Sequence, residues 1–229
     1  MQSGEKREFL NYLLGFVTDR RRELFYKVIE NRTRHITIVL EDIYQSHNAS
    51  ATLRTSEIYG IQDVYIIENK NKYTVNPDVA LGSNKWIDLH KFNNQGKDNT
   101  IECYNFLRSK GYKIYATTPH KDDVSLFDLP VNEKIALVFG SELPGLTETA
   151  INNADGYVKI PMYGFTESFN ISVSVAIFLS HLVEKLHKSD VDWKLTEEEK
   201  LDILIKWAKN SVRRPDVLER EFFKKISNG

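Results

Sequence analysis

The sequence predicts an α/β protein with a mostly parallel β-sheet and helices at both ends of the chain. Three observations support this prediction. Between residues 36 and 187, short β-branched runs alternate with helical patterns, which is typical of parallel strands joined by crossover helices. Apolar residues recur at helical spacing before this region, and charged helical patterns follow it.

The N-terminal region, residues 5–30, predicts helices. Its apolar residues recur at helical spacing, as at Phe9, Leu13, Val17, Phe25 and Ile29. A cluster of three arginines, Arg20, Arg21 and Arg22, lies between these apolar positions.

The central region contains the predicted sheet. Its predicted strands are Ile36–Leu40, Val64–Ile67, Lys85–Leu89, Lys113–Thr117, Ile135–Phe139 and Val158–Ile160. Helices are predicted at Ala49–Tyr59 and Thr100–Lys110, and a glycine follows each one as a C-cap. A polar loop is predicted at Glu41–His47, and a long helix follows the last strand.

The chain becomes more charged after Lys188. Thr196 and the three glutamates that follow it predict a helix start, because threonine caps helices and acidic residues favour the first turn. A last helix is predicted at Val217–Ile226. We therefore expect an N-terminal helical arm (1–33), a catalytic core (34–188) and a C-terminal helical extension (189–229).

Composition excludes several classes of protein. The chain has 229 residues, 41% of them hydrophobic and 28% charged, which is ordinary for a globular protein. It contains no apolar run of the ~20 residues that a membrane span needs, and its N-terminus lacks signal-peptide features. A single cysteine, Cys103, excludes an intramolecular disulfide and argues against a metal cluster, and we expect it to be buried. These features predict a cytoplasmic protein that needs neither a membrane nor a metal.

Two loops at predicted strand ends indicate a small-ligand site. The segment 140–145 follows one strand, and the segment 161–170 follows another and leads into the long helix. The chain contains no Gly-x-Gly, no Walker lysine, no His-Glu-x-x-His and no Gly-x-Ser-x-Gly. The missing motifs exclude the common dinucleotide, phosphate-loop, metalloprotease and esterase sites.

Three segments resemble the motifs of the SpoU/TrmH-type RNA 2′-O-methyltransferases of the SPOUT superfamily. Residues 47–55, 139–145 and 160–173 are similar to motifs 1, 2 and 3, in the family's order. Phe169 and Ile171 depart from the usual leucine and valine but remain apolar. The resemblance implies a C-terminal trefoil knot, S-adenosylmethionine as methyl donor with S-adenosylhomocysteine as product, and a homodimer whose active site draws on both subunits.

The resemblance also implies catalytic residues: Arg54, Asn48, Glu142, Ser168 and Asn170. Arginine is a poor base because its pKa is above ~12, so we expect Arg54 to bind a phosphate and lower the pKa of the ribose hydroxyl, although a role as base stays open. Structural alternatives are an Arg54–Glu57 pair, support of the loops by Glu142, and helix capping by Asn48, Ser168 or Asn170.

The cofactor residues implied by the resemblance are Thr117, Gly140, Ile160, Met162 and Phe169. Apolar walls with backbone groups at the edge suit a buried purine. The structural alternative for Ile160 and Phe169 is an ordinary place in the core.

RNA-binding residues are expected in the two arms and at the start of motif 1: Arg20, Arg21, Arg22, His47, Arg213 and Arg214. Arg32 and Arg34 are further candidates for phosphate contacts, because the net charge of −1 leaves only local basic patches. Solvated helix faces are the alternative for these clusters.

Helical extensions on both sides of the core resemble the TrmH-type tRNA enzymes, so the expected substrate is guanosine 18 in the tRNA D-loop. A guanosine in 23S rRNA, a catalytically silent RNA-binding dimer and a nucleotide-binding α/β protein unrelated to RNA are the alternatives.

Overall fold

The computed structural model describes residues 2–74, 76–118, 124–141 and 144–227. The chain divides into two compact units. Residues 33–193 form one, and residues 1–32 together with residues 194–229 form the other. Most of both predicted arms therefore belongs to a single helical unit, whereas residue 33 and residues 189–193 belong to the central unit. Within the described ranges, no helix has the length and apolar character needed to cross a bilayer.

The central unit contains the sheet strands and most of the helices that cover them. Its strands are β1 (Ile36–Glu41), β2 (Asp63–Ile67), β3 (Asp88–Phe92), β4 (Tyr112–Thr117), β5 (Val124–Ser125), β6 (Lys134–Phe139) and β7 (Gly156–Lys159). Its helices are α3 (Ser46–Ile58), α4 (Pro77–Ala80), α5 (Asn99–Ser109), α6 (Glu148–Asn153) and α7 (Ile171–His187), with a 3₁₀ turn at Ser83–Lys85. The helical unit contains α1 (Ser3–Leu14), α2 (Asp19–Ile29), α8 (Glu197–Ser211) and α9 (Pro215–Ser227).

The described part of the sheet has seven strands in the order β3-β2-β1-β6-β4-β7-β5. Each neighbouring pair is parallel, as predicted for this pattern. In the parallel ladder β4 lies between β6 and β7, with Ala116 opposite both Val138 and Tyr157. Because parallel strands end at the same edge of a sheet, the carboxyl ends of β4, β6 and β7 lie side by side.

The sheet is buried on both faces, as expected for parallel strands. On one face Ile38 and Leu137 pack in a cluster with Leu53 of α3 and Phe178 of α7. On the other face a second cluster contains Val39, Ala136 and Val138, together with residues of α5 and α6. Cys103 belongs to that second cluster, so its predicted burial is confirmed, and burial raises the pKa of its thiol far above the usual range.

A buried carboxylate at the end of β1 fixes two helix starts. Glu41 accepts hydrogen bonds from the Thr147 backbone N–H (2.9 Å), the Thr147 hydroxyl (2.8 Å) and the Thr100 hydroxyl (2.7 Å). Thr147 also caps α6 by accepting from the Ala150 N–H. Since a buried carboxylate without partners is costly, these three donors hold the starts of α5 and α6 against the strand end.

Three predictions of local structure were wrong in detail. The predicted polar loop at residues 41–47 is shorter, because Glu41 is the last residue of β1 and α3 begins at Ser46 rather than Ala49. The third strand begins at Asp88 rather than Lys85, because Ser83–Lys85 forms a 3₁₀ turn after Gly82, whose φ is +77°. The last strand, β7, ends at Lys159, one residue before Ile160.

The helical unit has an aromatic core. The ring of Phe9 lies 5.0 Å from that of Phe222, and Phe25 lies 5.6 Å from Trp207. The predicted start of α8 is confirmed, since Thr196 and Glu199 form a capping box. Residues from both ends of the chain therefore build this one core.

Candidate active site

A cavity of about 310 Å³ opens at the carboxyl ends of β4, β6 and β7. Its apolar walls are Phe139, Leu146, Ile160 and Phe178, and Thr117, Thr118 and Ser141 add polar groups. Small-molecule sites in proteins have volumes of about 300–1,000 Å³ and mainly apolar linings. The cavity therefore has the size and chemistry of a site for a small organic ligand.

All five residues predicted to bind the cofactor line this cavity: Thr117, Gly140, Ile160, Met162 and Phe169. They come from three different strand ends and meet only because the strands are parallel. Ser168, from the predicted catalytic set, lines the same cavity. The structure brings these residues together, and their binding roles stay predictions.

Gly140 lies where the chain leaves β6 and turns back on itself. A methyl group on Gly140 would collide with the backbone of Gly145 and Leu146. The turn is closed by a hydrogen bond from the Gly145 N–H to the Ser141 carbonyl (3.1 Å), with Gly145 at a φ of +67°. A side chain at position 140 would therefore push the loop away from the strand end.

A pair of asparagines joins motif 1 to motif 3. The Asn170 amide donates to Asn48 Oδ1 (3.1 Å), and the Asn48 amide donates to Gln45 Oε1 (3.1 Å). Asn170 also caps α7, because its Oδ1 accepts from the Ser172 N–H (2.9 Å), so the capping interpretation of Asn170 is confirmed. For Asn48 that interpretation was wrong, because it lies inside α3 and Gln45 is the N-cap.

Among the described residues of the predicted catalytic set, Arg54, Asn48 and Asn170 do not line the cavity. Arg54 is exposed on α3 and is not one of the residues that line it. Glu57, its alternative partner, lies on the same helix, and the role of Arg54 stays a prediction. Glu142 lies outside the described residues, and its role stays a prediction.

The predicted RNA-binding arginines all belong to the helical unit, while His47 is exposed near the start of α3. Arg20, Arg21, Arg213 and Arg214 are exposed. The guanidinium of Arg22 already makes a hydrogen bond within the protein, because its Nη2 donates to the Leu14 carbonyl at the end of α1 (3.0 Å). Phosphate contacts by these residues stay predictions.

Two further arginines do not fit the phosphate role expected for them. Arg32 is 1% exposed, and its guanidinium lies over the ring of Trp207, 5.3 Å from the centroid. Arg34 pairs with Asp63 (2.9 Å) and Asp88 (3.0 Å) at the start of the sheet. Burial makes the predicted phosphate contact by Arg32 wrong, whereas the guanidinium of Arg34 is engaged by two carboxylates within the fold.

Several residues of the site were missed by sequence reasoning. Leu146 and Phe178 form cavity walls, and Gln45 and Glu41 hold the elements that surround the site. The apolar spacing of α7 predicts that Phe178 is buried but not which strand ends it faces. Contacts between distant segments leave no local pattern in the sequence.

Comparison with known proteins identifies the family. Residues 35–180 match the sequence model of the SpoU rRNA Methylase family. The chain belongs to this family. The match covers the whole cavity described above, including the ends of β4, β6 and β7.

Among SpoU relatives, the tRNA (guanosine(18)-2′-O)-methyltransferase of Borreliella burgdorferi is 46% identical over 210 residues, which cover 92% of this chain and 94% of the relative. The enzyme of the same name from Thermus thermophilus is 31% identical and covers 71% of this chain and 81% of the relative. The crystal structure of the Aquifex aeolicus TrmH/SpoU tRNA modifying enzyme superposes with a TM-score of 0.74 at 29% identity, over 86% of this chain and 98% of that one.

The close backbone contacts around Gly140 predict that a single methyl group added at this position strongly destabilises the fold. Gly140→Ala should lower the free energy of unfolding by more than about 2 kcal/mol, because backbone atoms must move to admit the new Cβ. Gly4→Ala is the control, since nothing lies within 4 Å of a Cβ at that position in α1. Urea unfolding of both variants measures the difference. Equal stability of the two variants would contradict the role given to Gly140.

Proposed function

We propose that this chain methylates the ribose 2′-hydroxyl of guanosine 18 in tRNA, with S-adenosylmethionine as methyl donor. The observation that carries the proposal is the 46% identity to the Borreliella burgdorferi enzyme of that name. The identity extends over 92% of this chain, so it includes much of the helical unit as well as the central unit. The similarity therefore covers the predicted RNA-binding arms.

The cavity fits S-adenosylmethionine. Phe139, Leu146, Ile160 and Phe178 provide apolar surfaces for a purine, and Gly140, Ser141 and Gly145 of the loop after β6 line the same cavity. The cofactor, when bound, supplies an electrophilic methyl group on a sulfonium sulfur. Residues of the chain must then hold the acceptor oxygen in line with that methyl group and exclude water.

On the acceptor side, the chain has to stabilise the charge that develops on a weakly acidic hydroxyl. Arg54 carries a guanidinium, a cation that can form two parallel hydrogen bonds to one phosphate. We assign to it a contact with the phosphate next to the ribose, which stabilises the developing oxyanion. The Asn48–Asn170 pair, at the junction of motifs 1 and 3, positions the ribose.

We also propose that the enzyme is a homodimer. Arg54 does not line the cavity of its own chain. A groove runs between α3 and α7, with the apolar residues Tyr59, Phe127, Val173 and Ile177 in its lining, of which Phe127 is 55% and Val173 45% exposed. A second copy seated in this groove would cover these side chains and present its Arg54 to the cavity of the first.

The substrate is tested by incubating the protein with labelled S-adenosylmethionine and either bulk tRNA or bulk rRNA. We expect label in tRNA, at guanosine 18, and no transfer to the same tRNA with 2′-deoxyguanosine at that position. Label in rRNA alone would favour the 23S rRNA alternative. Binding of RNA without transfer to either would favour a catalytically silent dimer.

Arg54 is tested by mixing two inactive variants. Arg54→Ala should lose at least ~100-fold in kcat while retaining affinity for S-adenosylmethionine, because Arg54 does not line the cavity. Ser174→Trp should lose cofactor affinity, because Ser174 lines the cavity. If Arg54 serves the partner's cavity, half of the randomly mixed dimers are heterodimers, and each of these contains one complete site out of two. About a quarter of wild-type activity should therefore return.

Sedimentation must first show that each variant is dimeric and circular dichroism that it is folded. A mixture of dimeric variants that stays inactive would place Arg54 at the cavity of its own subunit instead.

A further inference from the structure

Two aromatic side chains in the segment after β7 are completely exposed. Tyr163 and Phe165 have 97% and 107% of their reference exposure, the highest values among the exposed large hydrophobic residues. Met162, directly before Tyr163, and Glu167 and Ser168, two and three residues after Phe165, line the cavity. The two rings therefore stand at the rim of the cavity rather than inside it.

Both ends of this segment are held in place. At its start, Lys159 pairs in the sheet and Ile160 lines the cavity. At its end, Asn170 caps α7 and donates to Asn48 of motif 1. A segment anchored at both ends presents its rings beside the place where the acceptor nucleotide must enter.

The local charge favours contact with bases rather than phosphates. The segment 161–169 contains one charged side chain, Glu167, which is negative. It offers no cation to a phosphate. Aromatic ring faces, in contrast, stack on any nucleobase, and single-stranded RNA is commonly bound in this way.

We propose that Tyr163 and Phe165 are positioning residues that stack on bases of the RNA substrate beside the acceptor guanosine. This inference rests on the proposed function. RNA enzymes of this kind act on loops, where a single-stranded segment can open its base stack and bring the ribose of one nucleotide to the cavity. The two rings replace the stacking that those bases lose, and so hold the opened RNA at the cavity.

A nucleic acid suits this surface better than a second copy of the chain. The groove between α3 and α7 provides the apolar surface for a subunit contact, and neither Tyr163 nor Phe165 is among the residues that line it. The rings are flanked by cavity residues, whereas the groove is lined mainly by residues of α3 and α7, with Phe127 beside them.

The test compares two double variants of the full-length protein. Tyr163→Leu with Phe165→Leu keeps apolar bulk but removes both aromatic faces, and Tyr163→Phe with Phe165→Tyr keeps both faces. Leu81→Ala is the control for loss of an exposed apolar side chain, since Leu81 is 64% exposed and lines neither the cavity nor the groove.

We expect the leucine variant to raise the KM for tRNA by about 10-fold or more, because stacking of each base contributes a factor of about 5 or more to binding. The aromatic variant and Leu81→Ala should have the wild-type KM. Calorimetry should show unchanged affinity for S-adenosylmethionine in every variant, and sedimentation an unchanged dimer.

Three results would overturn the inference, and they differ from one another. A wild-type protein that methylates no RNA overturns the proposed function itself. A wild-type protein that methylates tRNA, with an unchanged KM in the leucine variant, overturns only the stacking role. A leucine variant that sediments as a monomer assigns the two rings to the subunit contact instead.

Discussion

Parallel pairing of β4 with both β6 and β7 is the constraint on which the site depends. It places Thr117, Phe139 and Lys159, the last residues of three strands, at one edge of the sheet. The segments that follow have to share a small space, and the Gly140 backbone touches that of Gly145 and Leu146 as a result. The cavity is the space left between these segments, so its shape follows from strand order and from one glycine.

Much of the fold could be predicted from local patterns. Strands β1, β2, β4 and β6 are buried β-branched runs, and Gly60 and Gly111, both with positive φ, end the helical patterns before β2 and β4. Strand β5, helices α4 and α6 and the 3₁₀ turn were not predicted. Strand β5 has two residues that form a strand only because Val124 pairs with Val158, and such a pairing leaves no local signal. The order of the strands in the sheet also depends on contacts between distant segments, so it could not be predicted from local patterns either.

The candidate site was predicted from three motifs and not from periodicity. The motifs indicated the five cavity residues, but they did not show that Asn48 contacts Asn170, 122 residues away. Arg32 illustrates the limit of reasoning from charge. Its place near other arginines suggested a phosphate contact, whereas the structure buries it against Trp207, which comes from the other end of the chain.

Hydrogen exchange measured with and without S-adenosylmethionine tests the central claim most directly, that these three strand ends bind the methyl donor. We predict slower exchange in the segments that follow β4, β6 and β7, with no change in α8 and α9. Protection that appears only elsewhere in the central unit, or no protection at a saturating cofactor concentration, would contradict it.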